Sequence, residues 1–237
     1  MVDFAQEGMI TTIHDLKQRH LHEYEQELRE FTKSKPVTLI LPSLYSELEH
    51  PALTQIVEEL KGADYIQQII IGLDQANAEQ FAHAREFFSV LPQNHVILWN
   101  DGPRLQQLHQ QLNQLNVAPL QRGKGRNVWY CAGYAMAEGK SQVVAMHDCD
   151  IRTYKRDMLA RLIYPMVHPQ FSFQFSKGYY ARVADRKMNG RVSRLLVSPL
   201  LQALKKSSGR LIICFIFQPF VIPCRGKWQF MSKRYVI

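Results

Sequence analysis

Four short, nearly all-apolar runs recur along the first part of this chain, and a longer segment of helical spacing separates each from the next. They are Val37–Leu41 within "KPVTLILPSLYSE", the run in "DYIQQIIIGLD", "HVILW", and "SQVVAM" before "HDCD". Between them lie "PALTQIVEELKG", "NAEQFAHAREFFSVL", "RLQQLHQQLNQL" and "NVWYCAGYAMAEG". Strands that are apolar on both faces must be covered on both faces, and their alternation with helices predicts a mainly parallel α/β sheet. Ligands of such sheets gather at the carboxyl ends of the strands. Leu41–Glu47, Asp74, Asn100–Asp101 and Asp148–Asp150 all fall there. Pro42 is expected to stop the first strand, Gly62 to stop the helix before the second, and Asn127 to cap the helix before the fourth.

Past Asp150 the alternation weakens. "RDMLARLIYPMV" reads as a helix, "FSFQFSKGYYARV" alternates like an antiparallel strand, and "RVSRLLVSPLLQALKK" reads as a helix bent near Pro199. With 237 residues and 46% hydrophobic content, the chain can bury a full core. A single domain, 1–237, is expected, with an N-terminal helical segment (1–35), a ligand-binding half (36–150) and a mixed half (151–237).

A net charge of +8 and a pI near 9.4 favour anionic partners: nucleic acid, phosphorylated metabolites or a membrane surface. The basic residues are scattered and no nucleic-acid motif is present, which argues against nucleic acid. The most apolar run, Leu211–Cys224, is 14 residues long and contains Pro219 and Pro223, so no membrane span is expected. The N-terminus lacks a signal-peptide layout, and the four cysteines form neither C-x-x-C pairs nor a disulfide scaffold. A cytoplasmic location follows as an expectation.

The chemistry concentrates in four places. Asp148 and Asp150 form a D-x-D at a strand end, which within a regular strand would put both carboxylates on one face. Such a pair suits a hard cation, Mg²⁺ or Mn²⁺, bound through one or two carboxylates plus substrate phosphates. Haloacid-dehalogenase-type phosphatases also carry a D-x-D, but on the first strand and with Thr or Val at the fifth position, where this chain has Arg152. The second place is "QRGKGRN", with Lys124 between two glycines and a helix opening behind it. Backbone N–H groups and the helix dipole there favour an anion. The third is "LPSLYSE", with Glu47 in a polar loop after the strand. The fourth is "NGRVSR", where Arg191 and Ser193 at a helix start could seat a phosphate or carboxylate. His147 and Cys149 read as packing residues, and the aromatics of "FSFQFSKGYY" as one face of a strand.

Together these pieces resemble GT-A glycosyltransferases of the glucosyl-3-phosphoglycerate synthase and mannosylglycerate synthase type. "LPSLYSE" is similar to their Pro-Ala-Leu-Asn-Glu-Glu loop, "GKG" to their Gly-Lys-Gly, and "HDCD" to their Asp-Ser-Asp. "NGRVSRLLVSPLL" is similar to their Gly-Gly-Arg-Val-Thr-Glu-Leu-Val-Ala-(Lys/Arg)-Pro-Leu-Leu. The resemblance runs from about Pro36 to Gln202. It implies a GT-A, Rossmann-like fold and metal-dependent, retaining transfer of a sugar, glucose favoured, from a nucleotide-diphosphate sugar such as UDP-glucose to 3-phosphoglycerate or glycerate. Pro42, Ser43, Leu44 and Glu47 would then line the donor's uridine, with Asp74 beside them, and Lys124 would touch the nucleotide. Asp148 and Asp150 would hold the metal, and Gly190, Arg191 and Ser193 the acceptor. A homodimer is compatible with this reading. Family members run longer, with a His in the later segment completing the metal site. The acceptor-side half is therefore expected to be incomplete here. In "FVIPCRGKWQFMSKRYVI" Pro223 and Gly226 are kept and the family's acid is lost. A member that binds nucleotide without turnover is the alternative, with a nucleic-acid binder behind it.

Overall fold

The structure is a computed structural model, and it describes residues 19–119, 121–171, 173–178, 183–184, 187–188, 196, 199–200, 203 and 228–231. Helix α1 (Leu21–Ser34) leads into strand β1 (Val37–Leu44), a 3₁₀ turn (Tyr45–Glu49) and α2 (Pro51–Leu60). Next come β2 (Gln68–Asp74), α3 (Ala78–Phe88), β3 (Asn94–Trp99), α4 (Pro103–Gln114), α5 (Lys124–Glu138) and β4 (Val143–Met146). Helix α6 (Arg156–Val167) and the short strands β5 (Phe175–Lys177), β6 (Val183–Ala184), β7 (Lys187–Met188) and β8 (Trp228–Met231) follow.

One compact unit comprises Arg19–Gly178 and Lys227–Ile237. Its sheet runs in the order β3-β2-β1-β4-β8-β5, the first four strands parallel and β8 antiparallel to both its neighbours. The other unit, Met1–Gln18 with Tyr179–Gly226, contains β6 and β7, which pair antiparallel with each other. Among the described residues no helix is long and apolar enough to cross a membrane.

Side chains of the central strands alternate between two cores, as the two-residue period of a strand requires. Val37, Leu39 and Leu41 of β1 and Ile69, Ile71 and Leu73 of β2 join a large core with Leu28 of α1, Leu53 of α2, Phe88 of α3 and Ile163 of α6. Ile40 and Ile70 point to the other face, where Cys131 and Ala135 of α5 cover them. Each fully buried Ile or Leu contributes roughly 1.5–3 kcal/mol. Both faces are thus covered by helices, as the apolar runs demand.

Three local expectations change. Pro42 does not stop β1: it lies inside the strand, opposite Gly72 of β2. The Ile40 carbonyl accepts from His147 N–H, so alternate residues of β1 face β4, and Pro42 is the next of them. Pairing with β4 ends at Ile40, so Pro42's missing N–H faces a side with no ladder to break. Asn127 does not cap α5, which begins three residues earlier with Gly123 as its cap. Its buried side chain instead donates from Nδ2 to the Gly72 carbonyl at 2.8 Å. That approach needs glycine, because a Cβ on Gly72 would sit 1.7 Å from Asn127 Oδ1. Lastly, β4 ends at Met146, so Asp148 and Asp150 lie on the turn beyond it. Asp148 is buried and Asp150 exposed, and they do not share a strand face. Most of "RVSRLLVSPLLQALKK" and all of Leu211–Cys224 lie outside the described residues. The tail's Trp228–Met231 forms a strand between β4 and β5, which the sequence pattern did not reveal.

Candidate functional site

The parallel register brings the carboxyl ends of the strands into one row. Leu44 stands opposite Asp74, and Leu73 opposite Trp99, so the residues after β1, β2 and β3 are neighbours. Ser43 is buried at the end of β1, with its hydroxyl donating to the Leu44 carbonyl at 2.9 Å. Glu47 folds back from the 3₁₀ turn, and its Oε2 accepts from Leu44 N–H at 3.0 Å. Burial pushes the Glu47 carboxyl above its ordinary range; the Leu44 N–H and Ser43 hydroxyl oppose this, the Asp150 charge adds to it, and the Lys124 charge lowers it. Glu47, Ser43, Asp150 and Lys124 are therefore within electrostatic reach of one another.

The basic loop arrives from the other direction. Gly123 adopts φ +139°, a conformation open in practice only to glycine, and α5 starts immediately after it. Asn127 N–H makes the helix's bond back to the Gly123 carbonyl, so the N–H groups of Lys124, Gly125 and Arg126 have no intrahelical acceptor. Lys124 reaches from this first turn to Asp148, pairing its ammonium with Oδ1. Asp148 is 5% exposed, whereas the Lys124 side chain keeps 47% of its surface in solvent. Cys149, between the two aspartates, is a buried free thiol whose pKa burial pushes up, in line with its reading as core. His147 is likewise packed, its Nδ1 3.1 Å from the Tyr154 hydroxyl.

A second cluster lies beside the first and was not picked out as a unit from sequence. Asp74 is 1% exposed, and its Oδ1 accepts from Gln75 N–H at 3.0 Å and from Arg122 at 3.2–3.3 Å. Arg122 also donates to Asp101 Oδ1 at 2.5 Å, while Asp101 Oδ2 accepts from Ala76 N–H at 3.1 Å. One guanidinium thus ties the ends of β2 and β3 to the glycine loop. The available signal was two aspartates at neighbouring strand ends, and an arginine two residues before Lys124.

Of the residues singled out from sequence, Pro42, Ser43, Leu44, Glu47, Asp74, Lys124, Asp148 and Asp150 all stand at this carboxyl edge. Gly190, Arg191 and Ser193 lie outside the described residues. Among the described residues no three His, Cys, Asp or Glu side chains form a closed metal cage. Asp148 is buried and Asp150 exposed; one or two carboxylates suffice for an ion that takes its remaining ligands from substrate phosphates and water.

No protein-family model matches the chain. The curated glucosyl-3-phosphoglycerate synthase of Persephonella marina is 43% identical over 209 residues, which is 88% of this chain and 52% of that protein. That of Methanococcoides burtonii is 39% identical over 236 residues, 98% of this chain and 57% of that one. The chain is homologous to the glucosyl-3-phosphoglycerate synthases. It spans about half the length of the curated relatives it matches. Its fold is similar to glucosyl-3-phosphoglycerate synthase of Mycobacterium tuberculosis solved in complex with Mn²⁺, UDP and glucosyl-3-phosphoglycerate. The TM-score is 0.59 at 17% identity, over 94% of this chain and 64% of that one. Another structure of that enzyme, with Mn²⁺, UDP-glucose and phosphoglyceric acid, gives 0.57 at 16% identity, over 88% of this chain and 61% of that one. The fold is the GT-A-like α/β fold of these enzymes.

Proposed function

We propose that this chain carries the donor half of a glucosyl-3-phosphoglycerate synthase, moving glucose from UDP-glucose to 3-phosphoglycerate, or glycerate, with retained anomeric configuration. The observation that carries the reading is the meeting of Lys124, Asp148, Ser43 and Glu47 at the carboxyl edge of a parallel sheet. The identity to the two curated synthases supports it. Residues 36–150 form the nucleotide-sugar half in this reading and 151–237 the acceptor side, with Gly190, Arg191 and Ser193 holding the acceptor's anionic groups. The reaction is cytoplasmic, in keeping with Cys131 and Cys149 as free thiols.

Pro42, Ser43, Leu44 and Glu47 form the wall against which the uridine packs, and Asp74 closes its far end. The N-terminus of α5 and the Lys124 ammonium attract the diphosphate, whose negative charge grows as the bond to the sugar breaks. Mg²⁺ or Mn²⁺, held by Asp148 and Asp150, would add charge neutralisation on the same leaving diphosphate. The +8 net charge favours both anionic substrates.

Calorimetric titration of UDP into the chain, with Mn²⁺ and then with EDTA, tests the donor site, with Asp148→Ala as control. Metal-dependent binding that vanishes in the variant is the expected result. It would be followed by a turnover assay with UDP-glucose and 3-phosphoglycerate. Binding without turnover would assign a nucleotide-binding role to the chain. No UDP binding in any condition would refute the donor site.

A further inference from the structure

Lys124 is paired with the carboxylate that the donor-site reading gives to the metal. Its ammonium is paired with Asp148 Oδ1, on a carboxylate whose side chain is only 7% exposed. A carboxylate so far removed from water needs a cation close by, because an unpaired buried charge costs several kcal/mol. A second cation cannot share that oxygen without strong like-charge repulsion at short range. The ammonium sits on a flexible four-carbon stem, rooted in the first turn of α5, where the unbonded N–H groups draw in an anion. No other hydrogen bond or ion pair of the ammonium is found among the described residues, and its side chain is about half in solvent.

We propose that Lys124 is a stand-in cation for the donor site. It neutralises Asp148 while the site is empty and transfers to the phosphates of an incoming nucleoside diphosphate, which leaves Asp148 open to a divalent ion. This rests on the donor-site reading above and adds to it an order of events. The nucleotide moves the lysine, and the vacated carboxylate takes the metal. Nucleotide and metal are therefore positively coupled, and the factor by which one tightens the other is the same in both directions. Without nucleotide, the ion must displace the ammonium itself, so its apparent affinity is reduced by the fraction of time Asp148 is occupied.

The experiment measures Mn²⁺ binding by loss of the free-ion electron paramagnetic resonance signal, with the whole chain, in the absence and presence of UDP. In the wild type, UDP should tighten Mn²⁺ at least about tenfold. Lys124→Ala and Lys124→Gln, both at a half-exposed position, should bind Mn²⁺ alone at least about tenfold more tightly than the wild type. Their coupling to UDP should be correspondingly smaller. Variants that bind Mn²⁺ alone no better than the wild type overturn the proposal, as does a wild type whose Mn²⁺ affinity is indifferent to UDP. Asp148→Asn separates the two levels. If that change leaves Mn²⁺ binding intact, or if the wild type binds no UDP, it is the donor-site reading that fails.

Discussion

Arg122 and Lys124 belong to the same glycine loop and lie two residues apart, yet they are held in different ways. Arg122 forks between Asp74 and Asp101, and each of those carboxylates also accepts a backbone N–H, from Gln75 and Ala76 respectively. Lys124 holds a single carboxylate through a single oxygen. A planar guanidinium shared between two anchored acids is a fixed joint, whereas an ammonium on a flexible stem is an exchangeable one. The loop is therefore pinned at Arg122 and free to trade partners at Lys124. The split matches the division of labour that a donor site requires. Under the proposed donor-site reading, the strand ends beside the base would stay in place and the charge meeting the phosphates would move.

The most forceful way to break this comparison is to remove the acid Lys124 holds. Asp148→Asn should weaken Mn²⁺-dependent UDP binding about 100-fold, or about 2.8 kcal/mol. Asp150→Asn, at an exposed position with water at hand as a replacement ligand, should cost about tenfold. Calorimetry on both variants checks the order. Equal losses would mean that the difference in burial between the two aspartates has no bearing on the ion.

A smaller effect separates the two cations directly. In EDTA, Arg122→Ala and Lys124→Ala should each lower the unfolding free energy by about 1–3 kcal/mol, since each leaves a buried carboxylate short of a partner. Adding Mn²⁺ at about 100 times its dissociation constant should return about 2.7 kcal/mol to Lys124→Ala, because the ion takes the place of the ammonium. The loss in Arg122→Ala should persist, as Asp74 and Asp101 lie at the other strand ends. Urea melts with and without Mn²⁺ read this out, and rescue of Arg122→Ala to the same degree would erase the distinction.

That contrast also marks where the sequence could be read and where it could not. The strands were legible because runs such as Ile69–Ile71 are apolar at both parities, which only a sheet covered on two faces accommodates. The place of Asp148 at the carboxyl edge was legible because it follows directly on an apolar run, although its burial and the exposure of Asp150 depend on a turn that a strand period does not describe. Pro42 was misread because whether a proline breaks a strand depends on the neighbour it faces, and the length of β4 is not encoded near residue 42. Asn127 was misread for a related reason. Its preference for caps is local, while the bare backbone of Gly72 offered a better partner 55 residues away. The Arg122 clamp needs the β2–β3 register and a loop folding back over 48 residues, so residue identity alone did not join its members. The strand Trp228–Met231 was hidden by its brevity and by its insertion between β4 and β5, strands much earlier in the chain.

The finest test uses Glu47 as a reporter of the ammonium. Its carboxyl is raised above the ordinary range, first by burial, and the Lys124 charge holds that rise in check. In an acid raised by folding, both states are protonated below the unfolded value, and the group then costs the fold nothing. As pH climbs from the ordinary carboxylate range through the raised folded value, the unfolded state ionises first and stability falls; above that value the whole loss remains. Glu47→Gln cannot ionise, keeps an oxygen for Leu44 N–H, and should remove this fall, leaving the variant the more stable at neutral pH. In Lys124→Ala the fall should deepen and extend to higher pH, because the opposing charge is gone. In Arg122→Ala it should be unchanged, since Arg122 is not among the charges that act most on Glu47. Unfolding free energies across the acid range, with each variant compared to its own Glu47→Gln partner, isolate the contribution. A fall in Lys124→Ala identical to that of the wild type would place the ammonium out of reach of Glu47, and the exchangeable half of the comparison would lose its anchor at the donor site.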